Sequence, residues 1–405
     1  LNQDWLELDQ TYIMPTYNRL PLAIESAEGN TLIDADGNSY MDLFTGLAVN
    51  VLGHSHPRIM QALEEQGKSF LHISNYFVAP PAVTLAKRLV EHSIPGKVFF
   101  ANSGAEATEA AVKLVHKWAK AETEAKKGIV VLKNSFHGRT LGTIQLTRQE
   151  GVYQDFPAAD FPVYESEAED IEQLRRTLAE HKPAAVLMEP VLGSGGIVPL
   201  SEEYISVAAQ LCNEYGTLFI MDEIQTGNGR TGTLFAYQHC DVSPDIVLFA
   251  KGVGGGLPLG GLIAGDKVLA SFQPGDHGTT FGPSPLSAAL GNAVLDALFK
   301  DDELTKGAER ARYLWQKLME LTEEFPQHIS GVRGKGMMLG VVMNMEGGQV
   351  KKLRQELMEA GYLVDITQQS ILRLLPPLTL TFEEIDDFIS SMRKLLPKSR
   401  EGAET

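Results

Sequence analysis

Two residues in the chain of 405 stand where an acid and an amine could act together. Asp222 ends the short apolar run Leu218-Phe-Ile-Met, and Lys251 follows the run Ile246-Val-Leu-Phe-Ala and opens a glycine-rich turn. Other candidates accompany them. Ser103-Gly104-Ala105 stands at a strand-to-helix junction, where free backbone N–H groups and a partial positive charge can hold an anion. A helix cap made by Asn102 or Ser103, with Glu106 in the first turn, explains the same residues equally well. Thr279-Thr280 offers two hydroxyls in the loop His277-Gly-Thr-Thr-Phe-Gly, and Phe136-His-Gly-Arg139 follows an apolar run. An anion site, a flat apolar ring, an acid and a lysine at strand ends together describe a site for pyridoxal phosphate. The lysine would form a Schiff base, the acid would keep the pyridine nitrogen protonated, an aromatic would stack on the ring, and the helix terminus would hold the phosphate. The glycine run 252–261 fails as a nucleotide loop. Its lysine precedes the glycines, and Leu257 occupies the place of the third glycine of a dinucleotide fingerprint.

These side chains require a scaffold that brings strand ends together. Short apolar runs bounded by turn signals predict buried strands at 97–101, 129–132, 184–189, 218–222 and 245–250, and carboxyl ends of such strands are where open α/β sheets build their sites. Helical spacing predicts helices at 57–67, 81–92, 168–181 and 202–215. A further helix after Gly104 has Ala107, Ala110, Ala111, Leu114, Val115 and Trp118 on one face. The alternation implies a parallel sheet with helices on both faces. Before it, Asp36-Gly37 predicts a hairpin in a small antiparallel unit over 1–45. After about residue 290 the pattern changes to helices at 286–299 and 303–324, the apolar run 332–343, a helix at 348–360 and a strand at 371–375. That makes a smaller α+β unit, ending in the polar tail 398–405. The expected division is an amino-terminal segment 1–45 belonging to the small domain, a large domain 46–290, and a small domain 291–405.

Composition narrows the partners. With 43% hydrophobic and 21% charged residues the chain reads as an ordinary globular protein. No apolar run reaches the roughly 18–20 residues that span a bilayer, and the amino terminus has neither region of a signal peptide. A formal charge of −17 without a basic block argues against nucleic acid and anionic lipid, so neither a nucleic acid nor a membrane is expected as partner. Two cysteines, Cys212 and Cys240, favour a reducing, cytoplasmic setting, with Cys212 packed in a helix core. No metal is expected.

Taken in order, the segments Tyr17-Asn-Arg-Leu-Pro, Gly46-Leu-Ala-Val-Asn-Val-Leu-Gly-His-Ser-His-Pro, Asn102-Ser-Gly-Ala-Glu-Ala, Phe136-His-Gly-Arg-Thr, Met188-Glu-Pro-Val, Met221-Asp-Glu-Ile-Gln-Thr-Gly, Ala250-Lys-Gly, His277-Gly-Thr-Thr-Phe-Gly and Leu372-Arg-Leu-Leu-Pro-Pro-Leu cover nearly the whole chain. It resembles the class III (omega) aminotransferases of fold-type I, and most of all the acetylornithine aminotransferases. The resemblance implies an α/β fold, with a large domain whose mainly parallel sheet is sandwiched by helices and a smaller α+β domain drawn from both termini. It implies pyridoxal 5'-phosphate on Lys251, which also moves a proton, and Asp222 at the pyridinium nitrogen. It places Phe136 and Ile224 on the two ring faces, Gln225 at the phenolic oxygen, and Ser103, Gly104 and Ala105 at the phosphate. Thr280 would complete that phosphate site from the neighbouring subunit of a homodimer, with Thr279 next to the substrate. Arg139, assisted by Tyr17, would bind the carboxylate far from the ring. Arg373 would bind the carboxylate next to the reacting carbon when 2-oxoglutarate enters. Glu189 would lie near the cofactor, with no definite role.

One segment departs from the family pattern. A glutamate of a Gly-Glu-Gly-Gly segment usually pairs with the second arginine, whereas this chain has Gly193-Ser194-Gly195-Gly196. Ser194 carries no charge, so Arg373 is expected to stay uncompensated or hydrated whenever no substrate carboxylate is near. The implied reaction moves the distal amino group of N-acetylornithine or an ornithine-like donor to 2-oxoglutarate. An ω-amino acid or amine transaminase using pyruvate or another keto acid remains open, as does a pyridoxal-phosphate aminomutase.

Overall fold

The computed structural model describes residues 1–122 and 126–397. The polar tail 398–405 lies outside the described residues. A seven-stranded sheet forms the centre. From one edge its strands are Gly96–Ala101, Gly260–Gly265, Ile246–Phe249, Leu218–Asp222, Ala185–Met188, Ile129–Leu132 and Val163–Ser166. Both faces of the inner strands are covered, which is why Ile246–Phe249, Ala185–Met188, Ile129–Leu132 and the run before Asp222 are apolar at every position rather than alternately. Ile129, Val131, Leu187, Ile220 and Leu248 pack on one side with the helix Gly104–Glu122. Val130, Leu132, Val186, Met221 and Phe249 pack on the other. The helix buries the expected face, Ala107, Ala110, Ala111, Leu114 and Val115, and leaves Trp118 half-buried at its margin.

Gly260–Gly265 does not appear in the sequence reading, and it runs antiparallel to both neighbours. Only ten residues separate Phe249 from Gly260. That is too few for the helical crossover a parallel return needs, so the chain folds back on itself. The glycine run serves this return. A Cβ on Gly260 would lie 2.5 Å from the carbonyl oxygen of Ser103. The strand can therefore slide beneath the start of the helix Gly104–Glu122 only without a side chain.

The apolar run 332–343 is an antiparallel pair, Ile329–Lys335 and Met338–Met343, and these join Ile371–Leu374 and Asp365–Thr367 in a four-stranded sheet. A second four-stranded sheet contains the expected hairpin. Its strands are Ile24–Glu28, Thr31–Asp34 and Ser39–Asp42, and Tyr362–Leu363 lies parallel to the last, with Met41 opposite Tyr362. Helices Asn2–Tyr12 and Phe382–Leu395 had no counterpart in the reading. Asn2–Tyr12 buries none of its residues; without an apolar stripe against a core there was no periodicity to read.

Candidate active site

Asp222 is the last residue of its strand and is almost fully buried. His137 Nδ1 donates to its Oδ2 at 2.6 Å, and the backbone N–H of Ile224 donates to its Oδ1 at 3.1 Å. Donation from Nδ1 leaves His137 Nε2 buried without a partner. After the next strand in sequence, Ile246–Phe249, Lys251 begins a 3-10 turn at φ 52°. Left-handed backbone at a non-glycine residue is uncommon and collects where function holds it. No described residue forms a hydrogen bond or ion pair with Lys251 Nζ. Burial first, and the nearby Arg373 guanidinium second, push its amine down to about 8, so the neutral form is within reach of ordinary pH.

Both residues open into one cleft of about 720 Å³. Its lining includes Ser103, Gly104 and Ala105, then Phe136, Ile224 and Gln225, and also Tyr17, Arg139, Ser194 and Arg373. Thr279 and Thr280 do not line it. Thr279 Oγ1 accepts from Asn102 Nδ2 at 3.0 Å, beside the cap. Thr280 is exposed and lines a separate hollow with His72, Asn75, Phe77 and Phe281.

The junction at 102–106 is a capped helix as well as a cleft wall. Glu106 N–H donates to Ser103 Oγ at 3.2 Å, and the Glu106 carboxylate accepts from Asn102 N–H at 2.9 Å. The first N–H groups of any helix lack intrahelical partners, and here they belong to residues on the cleft wall. Gly104 packs closely, since a Cβ there would press on the Ile224 side chain at 3.0 Å.

Glu189, whose role the sequence left undefined, proves to be a brace. Its carboxylate accepts the backbone N–H of Phe136 at 3.0 Å and of Gly193 at 3.3 Å. It thereby ties the Phe136–Arg139 turn to the 193–196 loop, while burial pushes its pKa up. Arg230 is a second brace. Fully buried, it donates to the carbonyls of Met337 and Pro376 and to Thr45 Oγ1. That joins the turn after Asp222 to the segment after Arg373. His137 sat unnoticed inside a motif quoted for its neighbours. Its signal was position: it lies just past the end of strand Ile129–Leu132, on the side of the sheet where Asp222 ends.

The two arginines differ. Arg139 is exposed, its guanidinium 5.5 Å from the Phe136 ring, with no ion pair to any described residue. Arg373 is buried, and the expectation that it stays uncompensated is overturned. Asp365 on the adjacent strand accepts its Nε at 2.8 Å and its Nη2 at 2.5 Å. Asp365 went unread because the hairpin joining it to Arg373 turns through Gln368 and Gln369, at φ 49° and 63°. Glycine and asparagine signal such turns, and glutamine does not.

A family profile described as Aminotransferase class-III matches residues 12–396. The chain belongs to the class-III aminotransferases. It is 41% identical over 381 residues to the acetylornithine aminotransferase of Clostridium acetobutylicum, covering 94% of this chain and 97% of that one. It is 37% identical over 398 residues to that of Methanocaldococcus jannaschii, covering 96% and 97%. Among solved structures it resembles the ornithine aminotransferase from Toxoplasma gondii ME49, with a TM-score of 0.92 at 28% identity over 98% of this chain and 95% of that one. The N-acetylornithine aminotransferase from Stenotrophomonas maltophilia K279a aligns with a TM-score of 0.83 at 32% identity, covering 97% and 98%. This aminotransferase is an α/β protein of fold-type I, and pyridoxal 5'-phosphate is its cofactor. The cleft fits that group. It holds a half-buried lysine that pairs with no described residue, a buried Gln225 Oε1 likewise without a partner among them, a helix start for an anion, and a buried carboxylate oriented by a histidine. No helix among the described residues is long and apolar enough to cross a membrane.

Proposed function

We propose that this aminotransferase transfers the distal amino group of N-acetylornithine, or of an ornithine-like amino acid, to 2-oxoglutarate, giving a semialdehyde and glutamate. The observation that carries this reading is the presence of two guanidiniums in the cleft of Lys251, one open at the mouth and one buried close enough to depress the lysine. A planar guanidinium grips a carboxylate with two charge-assisted bonds. Arg139, with Tyr17 also in the wall of the cleft, holds the donor's carboxylate at the mouth, and a long donor then presents its far amine at depth. Arg373 takes the carboxylate next to the carbonyl of 2-oxoglutarate. The names of the acetylornithine aminotransferases at 37–41% identity agree with this choice.

Bound pyridoxal phosphate supplies an electrophilic carbon and a sink for the charge left on the reacting carbon. The chain does the rest. Lys251 attaches the cofactor and carries a proton to and from the reacting carbon. Asp222, oriented by His137, holds a proton at the pyridine nitrogen. Phe136, Ile224 and Gln225, all in the cleft wall, would hold the ring, the first two by its faces and Gln225 by its phenolic oxygen. Ser103, Gly104 and Ala105 hold the phosphate.

The active unit in this reading is a homodimer in which Thr280 of each protomer completes the other's phosphate site and Thr279 lies by the substrate. Its support is an apolar face around the hollow of Thr280, where Tyr76 is 96%, Phe77 70% and Val78 78% exposed. Large contiguous patches of this kind mark interfaces. The domains divide near residues 45 and 290, with 1–45 joined to the carboxyl-terminal unit; the pairing of Met41 with Tyr362 supports that grouping. The enzyme works in the cytoplasm, consistent with two unpaired cysteines.

Mixing holoenzyme with acetylornithine, ornithine, β-alanine, 4-aminobutyrate and simple amines, one at a time, tests the donor. Acetylornithine should convert the visible cofactor band fastest, and 2-oxoglutarate should restore it. Conversion by β-alanine or simple amines with none by acetylornithine would select the ω-amino acid reading instead.

A further inference from the structure

We propose that Asp365 is a specificity-determining residue: as the fixed counter-charge of Arg373 it disfavours a carboxylate on the reacting carbon, and so favours donors whose amine lies far from their carboxylate. The proposal rests on the reading of Arg373 as a carboxylate site.

Asp365 and Arg373 are direct cross-strand partners, followed in the ladder by Ile366 opposite Leu372 and Thr367 opposite Ile371. Opposite residues on one face of an antiparallel pair interact most strongly. The backbone of Asp365 cannot withdraw without breaking that ladder. Its strand is also anchored across the cleft wall, where Thr367 Oγ1 and Gln368 Nε2 donate to the carbonyl of Ser194 at 2.7 and 2.9 Å. Residue 194 itself, in a loop with three glycines, contributes only a neutral side chain. The counter-charge in this cleft therefore comes from a strand, and it is present in both halves of the reaction. A mobile acid could act by leaving; Asp365 acts as a constant bias.

The geometry also fixes which part of the guanidinium remains available. Nε and Nη2 both donate to the one oxygen Asp365 Oδ2. Among the described residues nothing accepts from Nη1. The Nη1–Nη2 edge is left, and Arg373 lines the cleft. A substrate carboxylate on that edge would sit within the width of one guanidinium from Asp365. Two like charges about 5–6 Å apart, at an effective dielectric near 20 and before solvent screening, weaken binding by roughly 100- to 300-fold. With side-chain exposures of 9% for Arg373 and 26% for Asp365, solvent screens the pair only in part.

Asp365→Asn separates charge from orientation, because the amide oxygen can still accept from Nε. Calorimetric titration of the holoenzyme with glutarate, an unreactive dicarboxylate, reads the effect without turnover. Glutarate should bind Asp365→Asn at least about tenfold more tightly than the unaltered enzyme. In half-reactions the KM for 2-oxoglutarate should fall in that variant while the KM for acetylornithine does not fall. Equal or weaker glutarate binding by Asp365→Asn overturns the proposal. Should that variant fail to fold, Arg373→Gln and the double variant Asp365→Asn/Arg373→Gln answer the same question. The double should bind glutarate more tightly than Arg373→Gln, where an unpaired aspartate repels the ligand, and equal affinities overturn the proposal. No glutarate binding by any form would overturn it together with the carboxylate role of Arg373. If the predicted order holds but acetylornithine does not react, the donor assignment falls and the role of Asp365 is supported.

Discussion

The amine of Lys251 carries the most informative perturbation in the molecule. Burial and the positive field of Arg373 bring it from 10.5 down to about 8. A lysine attacks a carbonyl only as the neutral amine, so the direction matters. Below its pKa the protonated form dominates, and the reactive fraction falls about tenfold per pH unit. The rate at which apoenzyme takes up pyridoxal phosphate, followed by its visible absorbance, should therefore rise with pH and level off near 8. Levelling off only above pH 10 would mean that neither burial nor Arg373 acts on the amine. The same charge ties the two ends of the cleft together: removing it with Arg373→Gln should move the midpoint upward.

At the scale of elements, the cleft depends on how closely one strand approaches one helix. Gly260 lies against the carbonyl of Ser103, where a Cβ would meet oxygen at 2.5 Å. Gly260→Ala must displace the helix start or the strand. Overpacking of this kind costs about 1–3 kcal/mol, and the displacement falls on the residues proposed to hold the phosphate. The variant should melt at lower temperature and bind pyridoxal phosphate more weakly in equilibrium titration, whereas an unchanged affinity would show that the helix start is not the anion site. Elements such as these were legible to different degrees. The inner parallel strands, with Asp222 and Lys251 at their ends, showed in the sequence because burial on both faces leaves continuous apolar runs; the edge strand Val163–Ser166, with Glu165 and Ser166 in it, did not. The antiparallel strand Gly260–Gly265 did not, because its glycines look like a loop until the neighbour that excludes a side chain is known. Nor did the braces. Glu189 and Arg230 take their roles from backbone groups distant in sequence, and Asp365 from a hairpin turn with no glycine. Side chains that act through their own type could be read from the residues alone; those that act through a tertiary partner could not.

For the molecule as a whole, the exposed apolar face at Leu71, Tyr76, Phe77, Val78 and Phe281 stands out on a chain of charge −17. Net charge of that size opposes casual association, so a face this apolar calls for a specific cover. In the proposed homodimer a second protomer would supply it and would bring Thr280 to a phosphate site whose cleft Thr280 does not line in its own chain. Phe77→Asp should shift the enzyme from dimer to monomer in sedimentation and weaken cofactor binding in the same variant, although Phe77 does not line its own cleft. A monomer that kept full cofactor affinity would exclude any contribution of the second protomer to the site.

All of these relations converge on Lys251 as the proposed attachment point. The most direct measurement is the visible absorbance of the enzyme reconstituted with pyridoxal phosphate and freed of excess by gel filtration, beside that of Lys251→Ala. The unaltered enzyme should keep the band, lose it on adding acetylornithine and regain it with 2-oxoglutarate, and Lys251→Ala should do none of these while remaining folded. A band of equal strength in Lys251→Ala, converted by the donor at the original rate, would contradict the assignment of the site.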